Sequence, residues 1–202
     1  MSDVILLSGG IESSTLLHMR HGQDEQHPVF IDYGQRAGQE EFRAAQQQCG
    51  RLGLQLKKLD MAQTGHDFRA EQSKKLHVPL PHRNLIALSL GLSYATQIGA
   101  KRLTLALNLE DTLAYPSAST AFIAKFQDMA NVLGSVEIAT PLAALSKAQI
   151  IRQGMTLGMD YAQTYSCLLG YPLHCGQCPQ CLHRREAFRQ ADEQEPADFY
   201  RA

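Results

Sequence analysis

Short apolar runs alternate with longer segments in which apolar residues recur every three or four positions, and this alternation continues to about residue 157. The apolar runs predict five β-strands, at residues 4–7, 29–32, 54–59, 103–107 and 136–138. The periodic segments predict helices near residues 11–20, 39–52, 84–98, 120–133 and 147–157. Because a βαβα order is typical of sheets covered on both faces, we expect an α/β fold with a doubly wound parallel five-stranded sheet.

Two parts of the chain interrupt this alternation. Residues 61–81 have no clear periodicity, and a long irregular connection in a compact domain is more often a binding loop or lid than a spacer. After residue 157 the pattern changes to a cysteine-rich loop, a short helix near residues 181–190 and an acidic polar tail. We therefore predict one α/β domain over residues 1–160 and a small C-terminal segment over residues 161–202 packed on it.

The composition is typical of a globular protein and argues against some classes of partner. The 202 residues suffice for one well-buried domain, and 44% hydrophobic with 19% charged residues is an ordinary globular composition. The formal net charge is -1 and the basic residues are scattered, which argues against nucleic acid as a partner. The apolar run at residues 4–7 is too short for a signal peptide or a membrane span, so we expect a cytoplasmic protein with no membrane partner.

The first candidate for chemistry is the turn after the first predicted strand, where the sequence SGG is followed, after one isoleucine, by a carboxylate and three hydroxyl side chains. In doubly wound sheets ligands bind beyond the carboxyl ends of the strands, and glycines let backbone N–H groups close on phosphate oxygens at a helix N-terminus. The turn lacks the Gly-Lys-Ser/Thr ending of a Walker loop and the third glycine of a dinucleotide fingerprint, which excludes both classes. On these residues alone, a phosphate-binding loop and a simple helix-capping turn both remain open.

The second candidate is a cluster of cysteines near the end of the chain, with the pattern C-x7-C-x2-C-x2-C. Its members are Cys167, Cys175, Cys178 and Cys181. Four thiolates at these spacings can close a tetrahedral Zn²⁺ site with no open position, so we predict a structural zinc that ties residues 161–202 to the domain. An iron–sulfur cluster and a redox-active cysteine pair remain as alternatives. Cys49, alone on a predicted helix, is expected to serve packing.

Several motifs together carry a resemblance to a known family. SGGIESST resembles the SGGxDS loop of the PP-loop ATP pyrophosphatases, which have an adenine nucleotide alpha hydrolase-like fold. In combination with the cysteine pattern, most of the chain resembles the 7-cyano-7-deazaguanine synthase family of the QueC type. The stretches that carry this likeness are FIDYGQR, PHRNLIALSLGLSYATQIGA, LNLEDTLAYPSASTAFI and TPLAALSKAQIIRQGMTLGMDYAQTYSC.

The resemblance implies an ATP-dependent carbon–nitrogen ligase. Members of the family adenylate 7-carboxy-7-deazaguanine, let ammonia displace AMP to give an amide, and use a second ATP to dehydrate the amide to the nitrile. The implied cofactors are ATP, Mg²⁺ and a structural Zn²⁺, and the implied assembly is a homodimer.

The resemblance also implies roles for individual residues of this chain. The implied catalytic residues are Glu12, Arg83 and Lys147, with Glu12 near Mg²⁺ and Lys147 as a point charge on the phosphates or the acyl-adenylate. The implied ATP-binding residues are Ser8, Gly9, Gly10, Ser13, Ser14, Tyr33 and Gln35. The implied substrate-binding residues are Arg36, Asn84, Asn108, Asp111 and Tyr115. Without the resemblance, Lys147 reads more simply as a solvated lysine at a helix start.

The chain departs from the family pattern at several positions. Glu12 stands where the family has aspartate, Ala37 where it usually has histidine, and residues 117–121 replace a charged stretch. These departures motivate an alternative, a related ligase that joins the activated carboxylate to another amine, which includes an amine on a protein partner. Alternatives of another class are a tRNA sulfurtransferase, against which the near-neutral charge argues, and a non-catalytic nucleotide-binding module.

Overall fold

A computed structural model describes residues 1–70, 80–196 and 198–201. Within them, five strands form one all-parallel sheet in the order β3-β2-β1-β4-β5. The strands are β1 (Ser2–Leu6), β2 (Glu25–Asp32), β3 (Lys57–Asp60), β4 (Arg102–Leu105) and β5 (Glu137–Ala139). The predicted doubly wound α/β fold is confirmed.

The central strand β1 is covered on both faces, as expected for a parallel sheet. Val4 and Leu6 contribute to one core cluster, and Ile5 and Leu7 contribute to the other. The first cluster is completed by α4 (Arg83–Ile98) and α6 (Thr120–Leu133). The second is completed by α1 (Ile11–Arg20), α2 (Gly38–Arg51), α7 (Lys147–Thr156) and α8 (Pro179–Ala191). Two-sided burial explains why the first strand reads as a continuous apolar run.

Three predictions about secondary structure are wrong in detail. The strand predicted at residues 54–59 begins only at Lys57, because Leu54 and Leu56 pack against the core before strand pairing with β2 starts. Residues 61–81, predicted to be irregular, contain α3 (Ala62–Ala70), and residues 71–79 lie outside the described part of the chain. No helix is predicted between residues 107 and 120, but this region contains the short α5 (Leu109–Ala114) and a 3₁₀ turn at Pro116–Ala118.

A group of charged residues closes the amino end of the sheet. Asp3 on β1 is fully buried, and its Oδ1 accepts a hydrogen bond of 2.7 Å from the hydroxyl of Thr104 on β4. Its Oδ2 lies 3.9 Å from an Arg20 nitrogen and 3.7 Å from an Arg102 nitrogen, and it has no hydrogen-bond partner among the described residues. Both arginines also pair with Asp24. Burial therefore dominates at Asp3 and raises its pKa from 3.8 to about 6.

A buried arginine joins separate parts of the C-terminal segment, residues 161–202, to one another. Arg184 on α8 is 1% exposed and pairs with Glu195 at 2.5 Å. Its remaining donors bond to the hydroxyls of Thr164 and Ser166 and to the carbonyl of Tyr161, at 2.8–3.2 Å. Because every nitrogen of the guanidinium has a partner, the cost of burying the charge is offset. None of the helices in the described ranges is both long and apolar enough to cross a membrane.

Candidate functional site

The fold gathers three chain segments at the carboxyl ends of neighbouring strands. Residues 8–10, here called the glycine loop, follow β1 and lead into α1. Residues 33–37 follow β2, and the start of α5 follows β4. The strand order places β1 between β2 and β4, so these segments surround the glycine loop from both sides. This is where doubly wound folds bind ligands.

The glycine loop leads into α1 without a side-chain cap for the first backbone N–H groups of the helix. Gly10 is the N-cap residue of this helix, and no side chain caps the helix start. Gly9 has φ of +77°, and a Cβ there would lie 2.5 Å from the Glu41 carbonyl oxygen, so the position requires glycine. Ser13 Oγ accepts a hydrogen bond of 3.1 Å from the Ser8 backbone N–H and lies 3.1 Å from the Ser8 hydroxyl. The uncapped amides and the positive end of the helix dipole suit an anion.

Glu12, in the first turn of α1, accepts hydrogen bonds from two side chains. Its Oε1 lies 2.9 Å from Lys147 Nζ and 2.8 Å from Asn108 Nδ2. Asn108 is the N-cap of α5, and its Oδ1 accepts a hydrogen bond of 2.7 Å from the Asp111 backbone N–H. The cap occupies the oxygen of the Asn108 amide, which leaves the amide nitrogen to face Glu12. Local helix capping thus orients a side chain of the site.

The charges in this group stabilise one another. Burial alone would raise the pKa of Glu12, but the Lys147 ammonium and the hydrogen bonds to Glu12 outweigh burial and lower the pKa. Burial alone would lower the pKa of Lys147, but the Glu12 carboxylate outweighs it and raises the pKa. The two groups therefore stay ionised as a pair. Burial, and next the charge of Glu12, raises the pKa of Asp111, so a cation near both carboxylates would be favoured.

A second group of polar side chains lies at the end of β2. Arg83 donates a hydrogen bond of 3.2 Å to the Tyr33 hydroxyl, and its guanidinium lies 5.8 Å from the Tyr33 ring centroid. Gln35 accepts a bond of 2.9 Å from the Tyr33 backbone N–H and donates one of 3.0 Å to Glu41. Burial raises the pKa of Glu41. Burial raises the pKa of Asp111, and the charge of Arg83 partly opposes this rise, so the two polar groups interact electrostatically.

The remaining predicted site residues lie around these two groups. Asn84 donates a hydrogen bond of 3.2 Å to the Ser117 carbonyl. Ser14 is fully buried, and its hydroxyl has no hydrogen-bond partner among the described residues. Arg36 and Tyr115 are exposed. Among the described residues, neither of these two side chains hydrogen-bonds to another predicted site residue, so the structure brings together Glu12, Lys147, Asn108 and Asp111 but not this pair.

The four clustered cysteines meet in one place, as predicted. Their Sγ atoms all lie within 4.8 Å of one another, and Cys175 Sγ is 3.9 Å from Cys181 Sγ. Four thiolates on one zinc ion, with Zn–S bonds of about 2.3 Å, stand roughly 3.8 Å apart. Backbone N–H groups donate to the sulfurs of Cys167 and Cys175 at 3.3–3.5 Å. The donor set and its compactness fit a single tetrahedral metal ion.

Aromatic residues enclose the cysteine cluster from the side of the chain end. His174, next to Cys175, is 3% exposed and stacks on Phe199 with ring centroids 4.2 Å apart. Its Nε2 accepts a hydrogen bond of 2.9 Å from the backbone N–H of Ser166. Burial lowers the pKa of His174 to about 3, so the ring is neutral. It acts as a packed acceptor beside the cysteines rather than as a fifth ligand.

Three residues at the site were not predicted from the sequence. Glu41 had a usable signal, because its helical spacing to Ala44 and Ala45 places a carboxylate on the buried face of α2. Glu110, whose carboxylate oxygens accept bonds of 3.2–3.3 Å from the Lys147 backbone N–H, and Tyr165, whose N–H bonds to the Gly9 carbonyl, had none. Both depend on contacts between parts of the chain that are distant in sequence.

The parallel sheet, with a glycine loop and an uncapped helix start after its central strand, defines an α/β nucleotide-binding fold of the PP-loop type. Solved structures of the same fold include the U34-tRNA thiolase NcsA of Methanococcus maripaludis, with TM-score 0.57, 16% identity and 96% and 73% of the two chains covered. NMN synthetase from Francisella tularensis matches with TM-score 0.57, 18% identity and coverage of 98% and 79%. At these identities the likeness shows the fold alone.

Sequence relatives identify the family. Residues 2–192 match the family model described as "Queuosine biosynthesis protein QueC". The 7-cyano-7-deazaguanine synthase 1 of Sulfurisphaera tokodaii is 33% identical over 201 residues, with 98% of each chain covered. The 7-cyano-7-deazaguanine synthase of Alcanivorax borkumensis is 35% identical over 218 residues, with 97% of this chain and 98% of the relative covered. The chain belongs to the QueC enzyme family, and the predicted resemblance is confirmed.

Proposed function

We propose that this protein is an ATP-dependent 7-cyano-7-deazaguanine synthase. It would adenylate 7-carboxy-7-deazaguanine, convert the acyl-adenylate with ammonia to the amide, and activate the amide with a second ATP to give the nitrile. Membership of the QueC family supports this proposal. The single observation in the site that carries it is the Lys147–Glu12–Asn108 group beside the uncapped start of α1.

The charges of the site suit adenylation. The leaving pyrophosphate develops negative charge, and catalysis of such steps is mainly positioning and electrostatic stabilisation. The glycine loop, with Ser8, Ser13 and Ser14, would bind the phosphates through amides and hydroxyls. Lys147 would supply a positive charge that Glu12 keeps protonated. The nucleotide side of the site would be lined by Tyr33, Gln35 and Arg83.

Two metal ions belong to the proposal. Mg²⁺ prefers oxygen ligands and usually takes one or two carboxylates together with substrate phosphates. Glu12 and Asp111 offer that donor set, and when bound the ion would neutralise phosphate charge. Zn²⁺ would be held by the cysteine cluster, where a closed four-sulfur shell makes its role structural. Residues 161–202 would then form a zinc-binding segment on the nucleotide-binding domain of residues 1–160. We further propose a cytoplasmic homodimer.

A second candidate function changes only the amine. The segment at residues 117–121, where the family pattern has charges, is used in this chain for local structure. Ala118 is 1% exposed, and the Ser119 hydroxyl caps α6 by accepting a bond of 3.2 Å from the Phe122 N–H. A site without those charges favours a ligase that passes the activated deazaguanine carboxylate to another amine, which includes a protein amine. Sulfur transfer to tRNA has only fold-level likeness behind it.

One product analysis separates these functions. The purified protein is incubated with ATP, Mg²⁺, 7-carboxy-7-deazaguanine and ammonia, and the products are followed by mass spectrometry. The synthase gives AMP, pyrophosphate and the nitrile. A reaction that stops at the amide, or that forms AMP only with another amine, supports the ligase. If no carboxylate yields pyrophosphate, the protein is a non-catalytic binding module.

A further inference from the structure

The segment that enters the cysteine cluster is hydrogen-bonded to the glycine loop. The backbone N–H of Tyr165 donates to the Gly9 carbonyl at 2.8 Å. Tyr165 stands two residues before Cys167, so a backbone bond joins the cluster to the loop. The carbonyl of Tyr165 also lies beside the loop, 3.6 Å from the position that a Cβ on Gly10 would take.

This bond fixes the direction of a donor in the loop. In a trans peptide the C=O and N–H groups point in opposite directions within one plane. When Tyr165 holds the Gly9 carbonyl, the N–H of Gly10 must face away from Tyr165, and it lies 3.4 Å from the Ser8 hydroxyl. Glycine pairs otherwise have wide backbone freedom. Tyr165 therefore orients the amide that starts α1.

The side chain of Tyr165 is fastened within the cysteine cluster. Its hydroxyl donates a hydrogen bond of 2.8 Å to the carbonyl of Tyr171, which lies in the loop between Cys167 and Cys175. Its ring packs on His174 with centroids 4.6 Å apart. The main chain of Tyr165 thus binds the glycine loop while its side chain binds the loop between two cysteines.

The cluster makes a second contact with the same end of the sheet. Gly170 lies against the main chain that follows β2, where a Cβ would be 2.5 Å from the Arg36 carbonyl oxygen. Ala37 and Ala44 pack in one apolar cluster with Cys167, Cys178 and Cys181. A displacement of the cysteine loops would therefore move the segment that follows β2 and the start of α2, against which Gly9 packs.

We propose that Tyr165 couples the two binding sites: metal binding at the cysteine cluster orients the Gly9–Gly10 peptide, so that metal and nucleotide bind cooperatively. The inference rests on the proposed function for the presence of zinc and ATP. Tyr165 is a positioning residue, since it acts through the glycine loop. A net hydrogen bond is worth about 1 kcal/mol, which corresponds to a coupling of about fivefold in affinity. By reciprocity each ligand changes the affinity for the other by the same factor.

The test measures Zn²⁺ affinity of the full chain by equilibrium competition with a chromogenic chelator. It is done in excess Mg²⁺, with and without α,β-methylene-ATP, which cannot be cleaved to AMP. We expect the analogue to tighten Zn²⁺ binding about fivefold. The variant Tyr165→Phe loses the bond to the Tyr171 carbonyl and should reduce this factor to below about twofold while still binding zinc. Tyr171→Phe is the matched control, because that position contributes its carbonyl and keeps it.

The outcomes separate the inference from the proposed function. If both ligands bind but the analogue leaves the Zn²⁺ affinity unchanged, the coupling is wrong and the proposed function stands. Equal coupling factors in the wild type and Tyr165→Phe overturn the role of Tyr165. Failure of the analogue to bind the zinc-loaded protein overturns the nucleotide site and the coupling with it. Hydrogen exchange of the peptide that contains residues 8–14 should also quicken when zinc is removed.

Discussion

Replacing Asp3 by asparagine should stabilise the protein, and the gain should grow with pH. The side chain is fully buried, and burial raises its pKa from 3.8 to about 6. A raised pKa means that the folded state binds the proton more tightly than the unfolded state. Stability from this group is therefore complete at low pH and is lost as the pH rises from about 4 to about 6.

The size of the effect follows from the pKa difference. A difference of about 2 between the folded and unfolded pKa corresponds to a cost of about 3 kcal/mol once Asp3 is ionised in both states. At pH 8 the full cost applies, and at pH 5 about half of it applies. The substitution Asp3→Asn removes the ionisation, and its amide can still bond to the Thr104 hydroxyl, which accepts as well as donates. The stability gained should thus be larger at pH 8 by about 1.4 kcal/mol.

Urea denaturation of both proteins at pH 5 and pH 8 measures this difference, since any constant effect of the substitution cancels. Thr104→Val is the matched control, because the Thr104 hydrogen bond lowers the pKa of Asp3 and its loss should steepen the pH dependence. If the wild type and Asp3→Asn differ in free energy of unfolding by the same amount at pH 5 and pH 8, ionising Asp3 in the folded state costs nothing. The attraction of Arg20 and Arg102 would then dominate, and the reasoning from burial would be refuted.

Four further changes test the site and the fold. Lys147→Ala should reduce pyrophosphate release about 100-fold or more with unchanged circular dichroism, whereas Lys125→Ala, at an exposed position, should leave it unchanged. Gly9→Ala should cost about 2 kcal/mol or more in urea denaturation, and more than a comparable change at Gly22, where φ is +78° but a Cβ would meet nothing within 4 Å. Cys178→Ser should lower the zinc content measured by native mass spectrometry, together with the melting temperature. Arg184→Met should cost about 3–5 kcal/mol in urea denaturation because it leaves the Glu195 carboxylate buried and unpaired; a loss near zero would mean that the pair is solvated.

The doubly wound fold could be predicted from the sequence because the spacing of apolar residues follows directly from which side chains are buried. The two-sided burial of β1 gives an unbroken apolar run, and the glycine loop follows it without an intervening residue that would blur the boundary. The prediction misplaced β3 for the same reason, because Leu54 and Leu56 are partly buried before pairing begins. The apolar pattern shows which residues are buried, but it does not show at which residue hydrogen bonding to the neighbouring strand begins.

At the site, local motifs were easier to find than the contacts between them. The four cysteines lie within 15 residues of sequence and could be assigned to one metal from spacing alone. The pairing of Lys147 with Glu12 joins α7 to α1, two helices that pack on the same face of the sheet although most of the chain separates them in sequence. The hydrogen bond from Tyr165 to Gly9 joins backbone atoms. Because every residue has these atoms, the residue types give no sign of this bond.

The backbone contacts of the glycine loop bear on how the enzyme can be redesigned. The main chain of Gly9 packs against α2, and its carbonyl accepts a hydrogen bond from the backbone N–H of Tyr165. Substitutions of solvent-exposed side chains around the loop should therefore leave its conformation unchanged. A mutant library restricted to exposed positions such as Arg36 and Tyr115 could search for new carboxylate or amine specificities without altering the loop itself.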